Sequence, residues 1–333
     1  MAATSPQRIT LIGLGTIGMS MAALHLERSN TTVDVFDTRP DLKDHVLNTL
    51  PNFLGQGSRT TGFDPQRSAS LVKSFIESGR LNIHNSLNTA CASATIVQEQ
   101  GPENIAFKES LWAEVESLAP PSAHLWTSTS GIAASLQQGS MRDKTRLLVV
   151  HPFNPPHTMP LLEIVPGPET ASERVDFARE YFSVQGSRHR PVVIRKEIPG
   201  FVGNRLAFAL FREACHLVQE DVVSAKDLDN ILMASLGPRW AGNGVFESYQ
   251  QGGGEGGIGA FIEKLSSTMQ EVWDGLGKVN VLGDEETGWK DKVISQVNDT
   301  YGTLTPERLH EKEERLKDFV EVQGKTYGDS HKE

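Results

Sequence analysis

Three glycines in RITLIGLGTIGMS, residues 8–20, stand where an apolar β-rich run meets a helical pattern. Gly13, Gly15 and Gly18 have the spacing G-x-G-x-x-G. In that pattern the first glycine permits a tight turn, the second lets a ligand approach the backbone, and the third lets the helix pack on the strand. The next β-rich run, TTVDVFD, ends in an acidic residue, Asp37. The combination predicts a parallel α/β domain with a dinucleotide site in its first turn.

An acidic residue at the end of the second strand accepts hydrogen bonds from the ribose hydroxyls of adenosine and repels a 2′-phosphate. Asp37 therefore predicts NAD rather than NADP, although Arg39 carries the charge that a 2′-phosphate would need. The alternative is a glycine turn with a purely structural role. The predicted cofactor-binding residues of this region are Gly13, Leu14, Gly15, Thr16, Ile17, Gly18, Asp37 and Arg39.

Similar β-rich runs alternate with helical patterns as far as Arg195. This alternation indicates an α/β fold, a Rossmann-type doubly wound, mostly parallel sheet. The stretch between the second and third runs is too long for one crossover, and predicts a helical insert at about residues 40–90. After the strands at 8–15 and 31–37, the predicted strands are ATIVQE (94–99), HLWTST (124–129), LLVV (147–150), LLEIV (161–165) and PVVIR (191–195), with helices at 16–28, 104–118 and 171–185.

Beyond Arg195 the pattern is helical, so the sequence predicts an all-helical C-terminal domain. We place the NAD-binding domain at residues 1–197 and a helical substrate and dimerisation domain at 198–333. Ser224 and Asp227 have the spacing of a helix capping box. We interpret QQGGGEGG, at residues 250–257, as a flexible connector, and the charged end of the chain as an amphipathic helix.

Composition narrows the possible functions. The formal charge of −10 opposes general binding to nucleic acid, which requires basic surface. Cys91 and Cys215 lie far apart and have no metal-ligand spacing, so neither a disulfide framework nor a metal site is expected. The glycines of the first helix interrupt its uncharged stretch, so neither a membrane span nor a signal peptide is expected. We expect a cytoplasmic protein with a small-molecule ligand.

Ligands of open parallel sheets bind beyond the carboxyl ends of the strands. Polar residues fall at several predicted strand ends, and Asn204 begins the first helix of the second domain. The strand-end residues are Glu99, Ser128, Ser130 and His151.

A carboxylate within the aliphatic run LLEIV needs a partner, because an unpaired buried charge is costly. A histidine is a natural partner for Glu163, since the carboxylate orients the imidazole and stabilises its protonated form. Such a pair suits oxidation of an alcohol by general-base catalysis. Spacing alone does not decide between His151 and His157, and Glu163 could instead bind backbone amides or reach solvent.

Several ordered motifs together resemble the 3-hydroxyacyl-CoA dehydrogenase family, most closely the branch that contains L-gulonate 3-dehydrogenase (lambda-crystallin) and carnitine 3-dehydrogenase. The resemblance covers residues from about 8 to about 240. It implies a Rossmann domain, a helical domain that forms a homodimer, and NAD as cofactor. The motifs are GLGTIG, VQEQGPEN (97–104), STSG (128–131), HPFNPPHTMPLLEIV (151–165) and KEIPGFVGNRL (196–206).

The resemblance also implies roles for single residues. His151 matches the catalytic histidine of the family and Glu163 the glutamate that orients it. Ser130 and Asn204 match the residues that contact the substrate. His157 has no fixed catalytic role in the family. On the cofactor side, the implied residues are Glu99, Glu103, Ser128 and Asn154.

These patterns predict an NAD-dependent dehydrogenase that oxidises the 3-hydroxyl of a small polar 3-hydroxy acid resembling L-gulonate. Alternatives are a CoA thioester substrate, a larger 3-hydroxy or 3-keto metabolite, and a non-enzymatic NAD-binding protein like a crystallin. STSG, where thiolase-linked relatives have NTSS, and the glycine-rich 241–257 segment leave the substrate open. The cationic residues of the insert have two possible roles: they could bind the phosphates of CoA, or they could be ordinary surface residues. These residues are Lys43, Arg59, Arg67, Lys73 and Arg80.

Overall fold

The computed structural model describes residues 5–54, 64–184, 189–282, 288–303 and 305–330. The chain divides into two compact units, Met1–Arg205 and Leu206–Glu333. The first unit thus extends beyond the boundary predicted at 197/198. Its last residues are held by hydrogen bonds, because the backbone amides of Val202 and Gly203 donate to the Glu163 carboxylate.

One sheet forms the centre of the first unit. Within the described residues it has eight strands in the order β3-β2-β1-β4-β5-β6-β7-β8. All neighbours are parallel except β6 and β7, which are antiparallel. The strands are β1 (Gln7–Ile12), β2 (Thr31–Phe36), β3 (Leu81–Ile83), β4 (Ile96–Glu99), β5 (His124–Thr127), β6 (Leu147–Pro152), β7 (Leu161–Pro166) and β8 (Arg190–Val193).

Helices cover both faces of this sheet, as the predicted doubly wound fold requires. One face packs against α1 and α7 through residues such as Leu11, Met19 and Phe182. The other packs against α4 and α5 through residues such as Val97 and Trp112. The helices are α1 (Thr16–Leu26), α2 (Leu42–Thr49), α3 (Pro65–Glu77), α4 (Leu87–Cys91), α5 (Ile105–Leu118), α6 (Ala134–Gln137) and α7 (Ser172–Ser183).

The seven predicted strands are all present, with ends that differ by a few residues. The predicted helical insert at about residues 40–90 contains α2, α3 and α4, but it also contains a short strand, β3, that was not predicted. The three residues of β3, LNI, pair in parallel with Val33–Val35 of β2. A three-residue strand is too short to produce a recognisable alternation of apolar and polar residues.

All regular elements in the described residues of the second unit are helices, as predicted. The predicted N-cap of α9 is confirmed, since the Ser224 hydroxyl accepts from the amide of Asp227, while the Asp227 carboxylate accepts from the Ser224 hydroxyl. The charged end of the chain forms the predicted helix, α13. The bounds are α8 (Gly203–Gln219), α9 (Ala225–Ala234), α10 (Leu236–Gly252), α11 (Gly257–Gly275), α12 (Trp289–Tyr301) and α13 (Pro306–Ser330).

The prediction that QQGGGEGG forms a flexible connector is wrong. Helix α10 continues to Gly252, a single 3-10 turn covers Gly254–Gly256, and α11 begins at Gly257. Gly254 and Gly257 have φ of +60° and +58°, which favours glycine. A side chain at Gly253 would meet the carbonyl of Gly257. The glycines therefore form a tight corner between two helices.

No helix in the described part of the chain is long and apolar enough to span a membrane.

Candidate active site

The glycine turn between β1 and α1 has the shape that a dinucleotide requires. Gly13 has φ of +90°, and a side chain at Gly18 would lie 2.0 Å from the Gly13 carbonyl oxygen. In contrast, the position of a side chain at Gly15 is open space, as expected where a pyrophosphate approaches. Gly15 is also the N-cap of α1, and no side chain in the described residues caps that end. The first-turn amides, including those of Thr16 and Ile17, are thus available to an anion.

The acidic residue at the end of β2 is part of this turn. One oxygen of Asp37 accepts from the Leu14 amide at 2.7 Å, and the other accepts from the Arg39 amide at 3.0 Å. The Arg39 guanidinium is held by both oxygens of Asp41. These bonds hold Asp37 at the end of β2, where a ribose is expected. Asp41 binds the Arg39 guanidinium, which is the cation that a 2′-phosphate would need. Both observations fit NAD.

His151 and Glu163 are direct partners across the antiparallel β6–β7 ladder. His151 Nδ1 lies 2.8 Å from Glu163 Oε2, and both residues are buried. The other oxygen, Oε1, accepts from the amides of Val202 at 3.0 Å and Gly203 at 2.9 Å. The structure thus brings Glu163 to His151 and not to His157.

The environment of Glu163 keeps this carboxylate ionised. Burial has the largest single effect on its pKa and would raise it. Hydrogen bonds from His151 and from the two backbone amides together outweigh burial and hold the pKa of Glu163 below its usual range. Because an ionised carboxylate only accepts, His151 donates from Nδ1 to Glu163, and in a neutral ring the lone pair is then on Nε2.

Ser130 and Asn204 lie together beside the loop after β5. The Asn204 side-chain amide donates to the Ser130 carbonyl oxygen at 2.8 Å. Glu103 orders the same loop, because its carboxylate accepts from the Ser130 amide and from the Thr129 hydroxyl, each at 2.6 Å. The structure thus connects Glu103, predicted on the cofactor side, with the residues predicted to contact the substrate.

Two other predicted cofactor residues lie at neighbouring strand ends. Ser128 follows β5 and is partly exposed, and its hydroxyl is 3.0 Å from Gln98 Nε2. Asn154 is exposed in the loop between β6 and β7. Both positions are at the carboxyl edge of the sheet, where ligands of this fold bind.

Glu99 reaches the site only indirectly, since its side chain is fully buried. Lys108 donates to both of its oxygens, at 2.7 and 2.9 Å, and Thr127 donates at 2.8 Å. The Gly101 amide donates as well, so Glu99 orders the turn after β4. Lys108 was not predicted as a site residue. Its sequence signal is a lysine on the apolar stripe that includes Leu111, one turn later.

His157 has a structural environment. Its backbone amide donates to the Ser20 hydroxyl at 3.1 Å, and its ring Nδ1 lies 3.0 Å from the same oxygen. The ring packs edge-on against Phe53. These contacts fasten the β6–β7 loop to α1.

The insert offers little support for a CoA phosphate site. Arg80 donates to the backbone carbonyls of Leu26, Arg28 and Thr31, so its charge is occupied. The exposed insert cations Lys43, Arg67 and Lys73 remain, while Arg59 lies outside the described residues. Within the described residues no cluster of histidine, cysteine and carboxylate side chains could hold a metal ion.

Comparison with known proteins agrees with this architecture. Residues 8–198 match the family profile of the 3-hydroxyacyl-CoA dehydrogenase NAD binding domain, and residues 200–288 match that of the C-terminal domain. An L-carnitine dehydrogenase of Mesorhizobium japonicum is 34% identical over 82% of this chain and 72% of its own length. A 3-hydroxyacyl-CoA dehydrogenase of Gibberella moniliformis is 33% identical over 86% of this chain and 80% of its own.

A solved structure extends the similarity over nearly the whole chain. The dehydrogenase of 5-formyl-3-hydroxy-2-methylpyridine 4-carboxylic acid, an NAD+-dependent dismutase, has a TM-score of 0.74 and 25% identity, over 97% of this chain and 99% of that one. Together with the two matched domains and the glycine turn, these similarities show that the chain belongs to the 3-hydroxyacyl-CoA dehydrogenase family of NAD-dependent oxidoreductases.

Proposed function

We propose that the protein oxidises the 3-hydroxyl of a small polar 3-hydroxy acid, with His151 as the general base and Glu163 as the residue that orients it. The observation that carries this proposal is the 2.8 Å contact between His151 Nδ1 and Glu163 Oε2. The contact favours the tautomer in which Nε2 has the lone pair. That nitrogen takes the hydroxyl proton, and the ionised carboxylate stabilises the resulting imidazolium.

Glu163 is itself held in place for this task. The amides of Val202 and Gly203 fix Oε1, so the carboxylate cannot rotate away from His151 without losing two hydrogen bonds. A base with a fixed orientation lowers the entropic cost of reaching the reactive geometry. The segment that supplies these amides also carries Asn204, so one short stretch of chain supports both parts of the site.

Bound NAD supplies the hydride acceptor. In the proposed site Ser130 and Asn204 contact the substrate oxygen, while Ser128 and Asn154 face the nicotinamide end of the cofactor. Asn204 keeps the Ser130 loop close through its 2.8 Å hydrogen bond to the carbonyl oxygen. The exposed Ser130 hydroxyl then donates to the oxygen on which negative charge develops.

The relatives favour a free acid as substrate. L-carnitine, named for the Mesorhizobium japonicum relative, is a free 3-hydroxy acid, and the pyridine compound of the similar structure also has a free carboxyl group. Arg80 already donates to backbone carbonyls, so fewer cations of the insert are available to bind the phosphates of CoA. A CoA thioester remains the second candidate because the Gibberella moniliformis relative is named a 3-hydroxyacyl-CoA dehydrogenase.

A substrate panel tests the proposal. NADH formation is followed with L-carnitine, L-gulonate, 3-hydroxybutyrate and 3-hydroxybutyryl-CoA under identical conditions. We expect a higher kcat/KM for one of the free acids than for the thioester. A preference for the thioester would establish the second candidate, and no turnover with any 3-hydroxy compound would contradict the proposed reaction.

We further propose a homodimer formed through the helical unit. This unit exposes many large apolar side chains. Among them are Phe208, Met233 and Phe246, whose exposed fractions are 64%, 75% and 79%. An apolar surface of this kind is typical of a protein interface. Sedimentation equilibrium is expected to give twice the 36.5 kDa chain mass. A mass equal to the single chain would contradict the dimer.

A further inference from the structure

We propose that Ser128 is held as a hydrogen-bond donor towards the nicotinamide end of the cofactor by a directional chain of buried side chains, Tyr181, His25 and Gln98. The inference rests on the proposed place of Ser128 in the site and adds three positioning residues to it.

The chain crosses the core beneath α1. Tyr181, on α7, has its hydroxyl 2.8 Å from His25 Nδ1, and His25 Nε2 lies 2.9 Å from Gln98 Oε1. Gln98 Nε2 in turn lies 3.0 Å from the Ser128 hydroxyl. The first three residues are at most 1% exposed, whereas Ser128 is partly exposed at the end of β5. The chain therefore runs from the dry core to the cofactor edge of the sheet.

The chemistry of its members gives the chain a single polarity. A neutral imidazole has one donor and one acceptor nitrogen, and an amide side chain has one donor and one acceptor end. Once one bond is assigned, every other bond follows. All protons point either from Tyr181 towards Ser128 or all in the reverse direction.

His25 is neutral, as this polarity requires. Burial lowers the pKa of His25 to about 3, and the hydrogen bond to Gln98 opposes this shift only in part. A protonated ring would donate from both nitrogens and would break the chain at Tyr181. At neutral pH the ring therefore transmits one direction only.

The two ends select the direction towards Ser128. In the reverse direction the Tyr181 hydroxyl would accept from His25, and its proton would need another acceptor, which the described residues do not provide. A buried donor without an acceptor is unfavourable, because it loses its hydrogen bonds to water and gains none in return. At the other end the side-chain amide of Gln100 lies 3.5 Å from the Ser128 hydroxyl. This contact also favours the direction in which Ser128 accepts.

The consequence for Ser128 is specific. Its oxygen already accepts from Gln98, so its own proton is directed to a ligand. A free serine hydroxyl would rotate and donate or accept. A hydroxyl with a fixed direction favours an acceptor, such as the carbonyl oxygen of a carboxamide, and chains of aligned hydrogen bonds strengthen one another.

Binding experiments without substrate test the inference. Calorimetric titrations compare NAD with ADP-ribose, which lacks the nicotinamide, for wild type, Gln98→Met, Tyr181→Phe, Ser128→Ala and the Gln98→Met/Ser128→Ala double variant. We expect Gln98→Met to weaken NAD about two- to tenfold, the size of one hydrogen bond, and to leave ADP-ribose within about twofold. Tyr181→Phe removes only the outermost donor, so its effect is expected to be smaller.

The double variant separates positioning from packing. If Gln98 acts through Ser128, Gln98→Met causes no further loss of NAD affinity once Ser128→Ala is present. Full additivity, or equal losses for NAD and ADP-ribose, would overturn the inference. So would unchanged NAD binding in all three single variants.

A measurement on the wild-type protein covers the case in which Gln98→Met does not fold. Nitrogen-15 NMR of the histidines distinguishes the two neutral tautomers. The proposed direction requires the proton of His25 on Nε2, and a proton on Nδ1 would reverse the chain and refute the inference. None of these measurements needs turnover. An inactive wild type with the expected binding differences would therefore contradict the proposed function alone.

Discussion

Two carboxylates are buried at the same edge of the sheet, yet their surroundings differ. Glu99 ends β4 and binds Lys108, Thr127 and a backbone amide. Glu163, in β7, binds His151 and two backbone amides. Lysine keeps one charge over the working pH range, whereas histidine changes charge near neutral pH. Burial of a carboxylate therefore does not by itself indicate catalysis, and the role proposed for Glu163 depends on a partner that can exchange a proton.

The largest expected effect comes from a variant of His151 that can no longer exchange a proton but still contacts Glu163. The amide of His151→Asn can still donate to Glu163, but the residue has no second nitrogen to accept a proton. We expect kcat to fall by about 100- to 10,000-fold, the range of general-base catalysis. NAD affinity, measured by calorimetry, should stay within about twofold. A variant that retains more than a tenth of wild-type kcat would exclude His151 as the base.

The corresponding change at the other carboxylate should act on folding. Lys108→Met leaves Glu99 buried without its counter-charge, which costs about 3–5 kcal/mol in the free energy of unfolding. Urea denaturation measures this loss. The double variant Glu99→Gln/Lys108→Met removes both charges and should recover most of it. A loss below about 1 kcal/mol in the single variant would show that the ion pair is not important for stability.

Glu163→Gln tests whether the carboxylate charge matters at the proposed catalytic pair. Glutamine can still accept from the amides of Val202 and Gly203, so the fold should be retained. Loss of one hydrogen bond to a charged group is expected to lower kcat about ten- to a hundredfold. Unchanged kcat at saturating substrate would mean that the carboxylate only supports the loop.

A buried histidine without a carboxylate partner sharpens the contrast with His151. His124 stacks on Phe177 with ring centroids 3.7 Å apart. Burial, followed by nearby positive charges, lowers its pKa to about 3. Below pH 6.5 the unfolded chain binds a proton that the folded His124 does not, so the protein loses stability as the pH falls towards 3.

His124→Phe keeps the stacking and removes the titrating group. Between pH 6 and pH 4, the unfolding equilibrium constant of wild type should rise more steeply than that of the variant, by roughly tenfold per pH unit. His25, also buried and neutral, contributes equally to both proteins and leaves a residual slope. Parallel stability profiles would contradict the lowered pKa of His124.

The smallest effect concerns an exposed ion pair. Asp41→Asn frees the Arg39 guanidinium, and we expect kcat/KM for NADP relative to NAD to rise about two- to fivefold, since exposed pairs interact weakly. Asp37 still opposes the 2′-phosphate, so NAD remains the preferred cofactor. The melting temperature should not change measurably. Adding Arg39→Ala should abolish the gain, and a gain that persists would exclude Arg39 as its source.

The sequence predicted the sheet because its strands are apolar runs with strong periodicity. It also predicted His151 at a strand end and Glu163 within the following strand, but spacing could not choose between His151 and His157. The choice depends on the register of the β6–β7 ladder, in which residues far apart along the chain become neighbours. Register is a tertiary property and is only weakly specified by local sequence.

Other differences between the sequence predictions and the structure have local causes. Strand β3 was missed because three residues have no measurable period. The glycines after α10 were interpreted as a flexible segment, although positive φ at Gly254 and Gly257 makes a tight corner. Lys108 was missed because a charged residue is expected at the surface. The lysine on an apolar stripe is explained by buried Glu99, which ends β4 nine residues earlier in the sequence.

The ladder between β6 and β7 has a consequence for how the site can change. His151 and Glu163 are 12 residues apart in sequence, yet the register of the ladder places them opposite one another and sets the separation of their backbones. The connecting loop, which carries Asn154 and His157, does not determine that separation. It can therefore be lengthened, shortened or exchanged by mutation or grafting while the histidine keeps its partner. The proposed cofactor contact, Asn154, and the proposed base, His151, thus lie on separate segments of the same hairpin.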